Sequence, residues 1–171
     1  MSDAKVSAVD ELCTACGLCC NGVLFGDVEL QPGDAARRLA ELGLPWQRQG
    51  RKQKAGQPCA CFEGKLCRIY AERPIRCRTF ECRLLARAQR GEIETAAALR
   101  AIRQVRRDAN EVRRLLRQLG QTDEQLPLNQ RYAKMMAKPI DLAGDEGVIE
   151  VRSELMLAVH RLVQALERDF L

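Results

Sequence analysis

The sequence predicts a mainly α-helical protein in which a small, irregular, cysteine-rich module precedes a long helical hairpin. All nine cysteines lie between Cys13 and Cys82, and residues 83–171 contain none. Two stretches of that second half repeat apolar residues at alternating steps of three and four, as one face of a helix does. Aromatic residues make up only 4% of the chain, which indicates an aliphatic core. We therefore predict two units, residues 1–85 and residues 86–171.

The bulk composition fits a globular protein of ordinary type. A chain of 171 residues can build one domain with its own core, or a small module joined to a helical one. No apolar run approaches the length of a signal peptide or a membrane span, so we expect a cytoplasmic protein without a membrane partner. Thiols stay reduced in the cytoplasm, and a disulfide framework is therefore not expected.

The first half should contain short elements connected by turns. Residues 23–30 alternate between apolar and other side chains around a glycine and predict a short strand. Residues 34–42 predict a helix of about two to three turns that Gly43 ends. The basic stretch 45–58, with helix breakers at both ends, predicts a loop or an irregular hairpin. It would carry Cys59 back towards the first cysteines.

A long helix should begin near Glu94 and end at Gly120. At 1.5 Å per residue it would run roughly 39 Å, and a helix of that length needs a partner along its apolar face. The predicted face consists of Leu99, Ile102, Val105, Ala109, Val112, Leu116 and Leu119.

The last segment of the chain supplies that partner. It follows Asp145 and Glu146, acids that suit a helix N-terminus, and we expect it to pack antiparallel to the long helix. A short helix around residues 129–137, stopped by Pro139, should lie in the connection. The apolar face of the last helix consists of Val148, Val151, Leu155, Val159, Leu162, Leu166 and Phe170.

The stretch CTACGLCC, residues 13–20, indicates a metal centre. Cys13, Cys16 and Cys19 have the spacing of the ferredoxin triad, in which three thiolates hold a cubane cluster and a fourth comes from elsewhere. Gly17 suits the tight curl of such a loop. The ferredoxin Cys-Pro is missing, so the fourth ligand is remote or is Cys20. Adjacent cysteines project in different directions, which argues against Cys19 and Cys20 binding the same atom.

Further thiols lie within 24 residues in the second cysteine array, and they leave the metal open. Tetrahedral zinc also accepts four thiolates, often from pairs spaced by two to four residues, and Cu(I) favours the same ligands. The alternative without a metal is a set of buried cysteines that act as small apolar residues. The remote thiols are Cys59, Cys61, Cys67, Cys77 and Cys82.

The segment PCACFEGKLCRIYAERPIRCRTFEC, residues 58–82, together with CTACGLCC resembles the YkgJ-type cysteine-cluster family of zinc- or iron-chelating domains. The resemblance covers roughly residues 10–85. It implies metal binding, through an iron-sulfur cluster or zinc, and does not imply one shared reaction. Cys61 has no counterpart in the family pattern, although it could compete with Cys59 for one position. The eight family cysteines correspond to Cys13, Cys16, Cys19, Cys20, Cys59, Cys67, Cys77 and Cys82.

The resemblance also marks residues around the thiols. Tyr70, Arg73 and Arg78 fall on motif positions, and guanidinium groups near thiolates would stabilise a negatively charged centre and raise its reduction potential. A solvated basic surface is the alternative for the arginines, and a packing role is the alternative for the tyrosine. Some relatives are flagellin lysine N-methylases, but those chains are larger. Nothing in residues 83–171 resembles a methyl-donor domain, so that activity is not expected here.

Charge does not assign a function by itself. Residues 48–117 carry a net charge of +12 and the rest of the chain −7. The basic face of the long helix could contact nucleic acid, but the acidic last helix can neutralise it, which disfavours nucleic acid as a partner. His160 is the single histidine, which excludes a multi-histidine metal site. Phosphate-binding loops and nucleophile elbows are absent from the sequence.

Two functional hypotheses follow. The first is a cytoplasmic iron-sulfur protein whose cluster, of [4Fe-4S] type, is ligated by the 13–20 block together with cysteines of residues 59–82, with a redox role on an unknown substrate. The second is a zinc-binding structural or metal-handling module that acts through a protein partner on its helical segment. The sequence assigns no catalytic residue, and it leaves open whether the protein is an enzyme.

Overall fold

The computed structural model describes residues 8–139 and 146–171, and within these ranges the protein is mainly α-helical, as predicted. The helices in chain order are α1 Ala8–Cys16, α2 Ala36–Glu41, α3 Ile75–Thr79, α4 Arg83–Gln89, α5 Thr95–Gln118, α6 Leu128–Met136 and α7 Glu146–Asp169. The short strands are β1 Asp27–Glu29, β2 Gln47–Gln49, β3 Lys52–Gly56, β4 Phe62–Glu63 and β5 Leu66–Cys67.

The two long helices α5 and α7 pack antiparallel, which confirms the predicted hairpin. Glu111 of α5 lies near Arg161 of α7, while Arg114 lies near Glu154, so later residues of α5 meet earlier residues of α7. The buried side chains of α5 are Ala98, Ile102, Val105, Ala109, Val112, Leu115 and Leu116. The short helix predicted in the connection is α6. Asp145 lies outside the described residues.

One position of the predicted apolar face is wrong. The side chain of Val148 is 47% exposed, whereas Leu155 and Leu162 further along α7 are buried. In this antiparallel register, the first turn of α7 extends past Gln118, where α5 ends. Val148 therefore has no part of α5 to pack against.

Helices α1 and α4, which were not predicted, pack on the hairpin. Helix α1 contacts both α4 and α5. Its Leu12 and the following Leu18 are buried in the same core as Ile102 and Val105 of α5. We call this aliphatic core, shared by α1, α4, α5, α6 and α7, the helical core. The first cysteines of the chain are thus attached to the long helix.

A small sheet supports the rest of the cysteine-rich half. Strands β2 and β3 form the expected hairpin, and β1, in the predicted strand segment, pairs antiparallel with β3 so that Val28 lies opposite Ala55. Helix α2 ends as predicted near Gly43, whose φ is +87°. The second, smaller core beneath these elements, which we call the sheet core, consists of Leu30, Leu39, Leu44, Ala55, Cys61 and Ile69.

The helical core includes residues from both before and after the sheet in the chain. Leu12 and Leu18 belong to the helical core although they precede the sheet, so the division near residues 85 and 86 stays a prediction. In the part of the chain that is described, no helix has both the length and the apolar character needed to cross a membrane.

Candidate metal centre

The first group of thiols is built where α1 ends and α4 begins. Cys13 and Cys16 occupy the last turn of α1, and Gly17 with a φ of +68° reverses the chain immediately afterwards. The Gly17 N–H donates to the Cys13 carbonyl at 3.3 Å, and the next turn carries Cys19. Cys82 lies at the N-cap of α4, where its sulfur accepts a hydrogen bond from the Leu85 N–H at 3.4 Å. The end of α1 with the turn after it contributes three of these thiols, and the start of α4 contributes the fourth.

Electrostatic coupling identifies these four as neighbours. Burial, with a contribution from the thiols of Cys82 and Cys13, raises the pKa of Cys16 to about 12. Burial also raises the pKa of Cys19, and the thiols of Cys16, Cys20, Cys82 and Cys13, in decreasing order, act in the same direction. We call Cys13, Cys16, Cys19 and Cys82 the helical thiol group.

The second group of thiols combines Cys20, in the loop after α1, with cysteines that follow strand β3 in the chain. The Cys59 N–H donates to the Cys20 carbonyl at 2.8 Å, so the hairpin returns Cys59 to the first cysteines as predicted. The Cys59 carbonyl in turn accepts from Phe62 N at 3.0 Å, and Phe62 lies opposite Cys67 in the β4–β5 pair. Cys77 is supplied by α3.

These four thiols are also electrostatic neighbours. Burial raises the pKa of Cys20 to about 12, and Cys59, Cys77 and Cys67 are the thiols that raise it most. Burial, with a contribution from the Cys67 thiol, raises the pKa of Cys59 and of Cys77 to about 11. We call Cys20, Cys59, Cys67 and Cys77 the sheet thiol group.

The grouping separates two residues that are adjacent in the chain. Cys20 is the second-strongest thiol neighbour of Cys19, whose other thiol neighbours are in the helical group, whereas the three strongest thiol neighbours of Cys20 are in the sheet group. Among the described residues, no three Cys, His, Asp or Glu side chains are yet arranged as a coordination shell.

The ninth cysteine, Cys61, lies beside the sheet thiol group: its thiol raises the pKa of Cys59 more than that of Cys67 does, and it also shares a hydrogen bond with Cys59. The Cys61 side chain is fully buried in the sheet core, and its thiol donates to the Leu42 carbonyl at 3.9 Å. Arg68 Nη2 lies 3.8 Å from the same sulfur. Cys61 therefore packs in the sheet core and lies next to Cys59.

The three predicted residues around the thiols occupy different positions. The Arg73 guanidinium lies 3.7 Å from the centroid of the Tyr70 ring, in a cation–π contact. Burial raises the pKa of Cys77, and the charge of Arg73 opposes that rise, so Arg73 lies beside the sheet group. Tyr70 is 43% exposed, and Arg78 is exposed on α3. Their tuning of a metal centre stays a prediction.

Two arginines of α5 were missed as parts of the site. Arg106 Nη1 donates to the Ala15 carbonyl at 2.6 Å, and Arg113 Nη2 donates to the Asn21 carbonyl at 3.2 Å. The Ala15 carbonyl lies within the CxxCxxCC block and the Asn21 carbonyl directly follows it, so α5 holds the block at two points. Their spacing of seven residues, which puts both side chains on one helix face, is the signal that could have found them.

The remaining basic face of α5 is partly neutralised within the protein. Arg114 forms an ion pair with Glu111 at 2.7 Å and also lies near Glu154 of α7. Arg117 forms an ion pair with Glu124 at 2.7 Å. The basic face predicted from the sequence is therefore largely a set of internal contacts.

Asp34 fixes the position of α3 and hence of Cys77. Its Oδ1 accepts a hydrogen bond from Ile75 N at 2.8 Å, and its Oδ2 accepts one from Gln31 N at 2.7 Å. One carboxylate therefore ties the first turn of α3 to the segment that leads into α2. The sequence indicated only that Asp34 precedes a helix.

The comparisons with known proteins bear on this centre. A family model named CxxCxxCC and described as "Putative zinc- or iron-chelating domain" matches residues 12–106, which is more than half of the chain. Neither the search of curated proteins nor that of solved structures gave a match. The matched range includes both thiol groups and the N-terminal half of α5. This chain therefore belongs to the CxxCxxCC family of zinc- or iron-chelating domains, as its cysteine motifs predicted.

Proposed function

We propose that this protein holds two metal centres, one in each thiol group, and that the helical group binds an iron-sulfur cluster with a redox role. The proposed ligands are Cys13, Cys16, Cys19 and Cys82 for the first centre and Cys20, Cys59, Cys67 and Cys77 for the second. The observation that carries the proposal is the separation of eight thiols, six half-buried and two exposed, into two sets of four electrostatic neighbours.

The donor set fits such centres. Four thiolates are the usual ligands of iron-sulfur clusters and of structural zinc. Burial makes free thiolates costly here, since it raises the pKa of Cys16, of Cys20 and of their neighbours. A metal cation removes that cost by taking the negative charge of the thiolates.

The spacing around the helical group favours iron. Cys13, Cys16 and Cys19 repeat the ferredoxin triad, and Cys82 is available as the remote fourth ligand. The Leu85 N–H already donates to the Cys82 sulfur, and Arg106 brings a positive charge beside the loop. Such donors and charges stabilise a reduced cluster. When bound, the cluster would supply one-electron transfer, while the chain positions its ligands and limits solvent access.

Zinc is the second candidate, and the sheet group favours it most. Its four cysteines come from separate short elements, and the sheet core beneath them is small. A small core gains much of its stability from a structural metal. In that case the second centre stabilises the sheet half and takes no part in electron transfer.

The test is the metal and acid-labile sulfide content of protein purified without oxygen, together with its visible spectrum. Iron and sulfide in near-equal amounts, with a broad visible absorption, are expected if the helical group binds a cluster. Any zinc found beside them would belong to the sheet group. Zinc without sulfide would contradict the cluster and leave a structural or metal-handling module.

A further inference from the structure

A cavity of about 220 Å³ lies beside the thiol groups and is not explained by metal binding. It is enclosed by the segment after Cys20, the C-terminal part of α5 and the chain entering α6. Asn21, Pro58, Arg113 and Arg131 contribute to its lining, together with Leu126. At roughly 30 Å³ per water molecule, this space holds about seven waters or one small organic or inorganic ion.

Both arginines of the cavity are held in place by the protein. Arg131 is only 2% exposed, and it donates through Nη2 to the Gln121 carbonyl at 3.0 Å and through Nε to the Gln121 side chain at 3.3 Å. Arg113 donates through Nη1 to Asn110 and through Nη2 to the Asn21 carbonyl. These bonds fix each guanidinium but do not use all of its N–H groups.

The positive charge of the two arginines in the cavity is not fully balanced by the carboxylate of Glu124, the single carboxylate that lines it in the described part of the chain. Glu124 is the carboxylate among the described lining residues, and its closest cation is Arg117 at 2.7 Å. Glu124 lies 3.9 Å from Arg131, which is longer than a hydrogen bond. Burial and the charge of Arg131 lower the pKa of Arg113, and the charge of Glu124 opposes this only in part. The two guanidinium groups therefore repel each other in a confined space.

We propose that this cavity binds a small oxyanion, of carboxylate or phosphate type, between Arg113 and Arg131. A planar guanidinium recognises both kinds of oxygen through paired N–H donors. An anion there would relieve the repulsion and use the free N–H groups, while Leu126 and Pro58 would cover its apolar part.

The position of the cavity links this ligand to the metal centre. Asn21 follows Cys20 and Pro58 precedes Cys59, and both cysteines belong to the sheet thiol group. Arg113 also holds the Asn21 carbonyl. The bound anion would thus contact the two chain segments that carry Cys20 and Cys59. This inference goes beyond the proposed function, because it holds for iron and for zinc alike.

The experiment uses the full chain as purified with its metal. Isothermal titration at low ionic strength measures binding of inorganic phosphate, sulfate and succinate, with chloride at equal ionic strength as the reference. Three variants are compared with the unchanged chain. Arg113→Gln removes one binding group, Leu126→Trp fills the cavity but keeps both arginines, and Arg103→Gln removes an exposed arginine elsewhere on α5.

Saturable binding of phosphate or succinate to one site per chain is expected. Arg113→Gln should weaken it by about tenfold or more, because a charged hydrogen bond is lost. Leu126→Trp should also weaken it, and Arg103→Gln should leave it unchanged. Metal content measured on each variant separates loss of this site from loss of the metal centre. Absence of saturable binding, or equal binding by all four proteins, would overturn the proposal.

Discussion

At Gly17 the backbone of the CxxCxxCC block has a φ of +68°, and a Cβ there would lie only 2.7 Å from Cζ of Phe62. The glycine therefore meets two requirements, a left-handed conformation and a close approach of the Phe62 ring. Phe62 pairs with Cys67, so this contact joins the loop of the helical thiol group to the strand pair of the sheet thiol group.

Replacing Gly17 by alanine should lower the free energy of unfolding by about 2–4 kcal/mol, since strain and overpacking add. The matched control is Gly50→Ala, where φ is +60° but no atom lies within 4 Å of the new Cβ. The control should cost about 1–2 kcal/mol. Urea unfolding of both variants measures the difference, and equal losses would show that the Phe62 contact is unimportant.

Cys61 and Cys67 provide a test of which thiols bind metal. Cys61→Ala should leave the metal content unchanged and lower the stability by about 1–2 kcal/mol, because only a buried side chain with weak sulfur contacts is lost. Cys67→Ala should lower the metal content of the sheet group. The measurement is metal per chain for both variants. Loss of metal from Cys61→Ala would place that thiol among the ligands.

The residues that could be predicted were those with a strong local pattern. The spacing of Cys13, Cys16 and Cys19 indicated a metal loop. The remote cysteines were also identifiable as candidate ligands from the sequence, but their spatial neighbours were not. The sequence could not assign Cys82 to one group and Cys77 to the other, since that depends on how α3 and α4 are placed. Arg106 and Arg113 were missed because their partners are backbone carbonyls, and the only signal in the sequence is their spacing of seven residues on one helix face.

Among the elements, α5 and α7 were predictable because each repeats an apolar face over 24 residues. Helix α1 has only nine residues, and an isolated helix of that length is marginal in water. Its stability comes from packing on α4 and α5. That packing, which local propensity does not show, explains why the sequence did not reveal α1.

The packing of α7 can be tested with one buried and one exposed side chain. Leu155 is fully buried against the helical core, and Leu155→Ala should lower the free energy of unfolding by about 2–5 kcal/mol. Val163→Ala on the same helix is the control, since that side chain is 42% exposed, and it should cost less than about 1 kcal/mol. Thermal or urea unfolding measures both. Similar losses would contradict the hairpin.

For the whole molecule, thiol burial predicts how the stability of the metal-free, reduced protein depends on pH. Folding raises the pKa of Cys16 and Cys20 from 9.0 to about 12, and that of Cys59 and Cys77 to about 11. The unfolded chain therefore loses these protons first as pH rises. The stability contribution is complete below about pH 9 and decreases from there towards pH 11–12.

Urea unfolding of the metal-free protein between pH 7 and pH 11 measures this dependence. A variant with Cys16 and Cys20 replaced by alanine is the control, and its stability should fall less steeply above pH 9. A stability that rises over this interval, or an unchanged slope in the variant, would contradict the buried, protonated thiols. The metal-loaded protein should behave oppositely, because protons compete with the metal and acid therefore releases it.

The two cores and the two thiol groups correspond across the whole molecule. Cys16 and Cys82 pack against the helical core, whereas Cys59 and Cys67 pack against the sheet core. Each proposed centre therefore lies at the edge of its own core, and the adjacent Cys19 and Cys20 connect the two. Loss of one centre should then leave the other in place.

The most direct test of this arrangement is the metal and sulfide content per chain of Cys82→Ala, Cys67→Ala and the unchanged protein, all purified without oxygen. We predict that Cys82→Ala loses the iron and sulfide of the helical group and keeps the metal of the sheet group, while Cys67→Ala shows the reverse. Loss of all metal from both variants, or loss of the same metal from both, would mean that the eight cysteines form a single centre and would contradict the account.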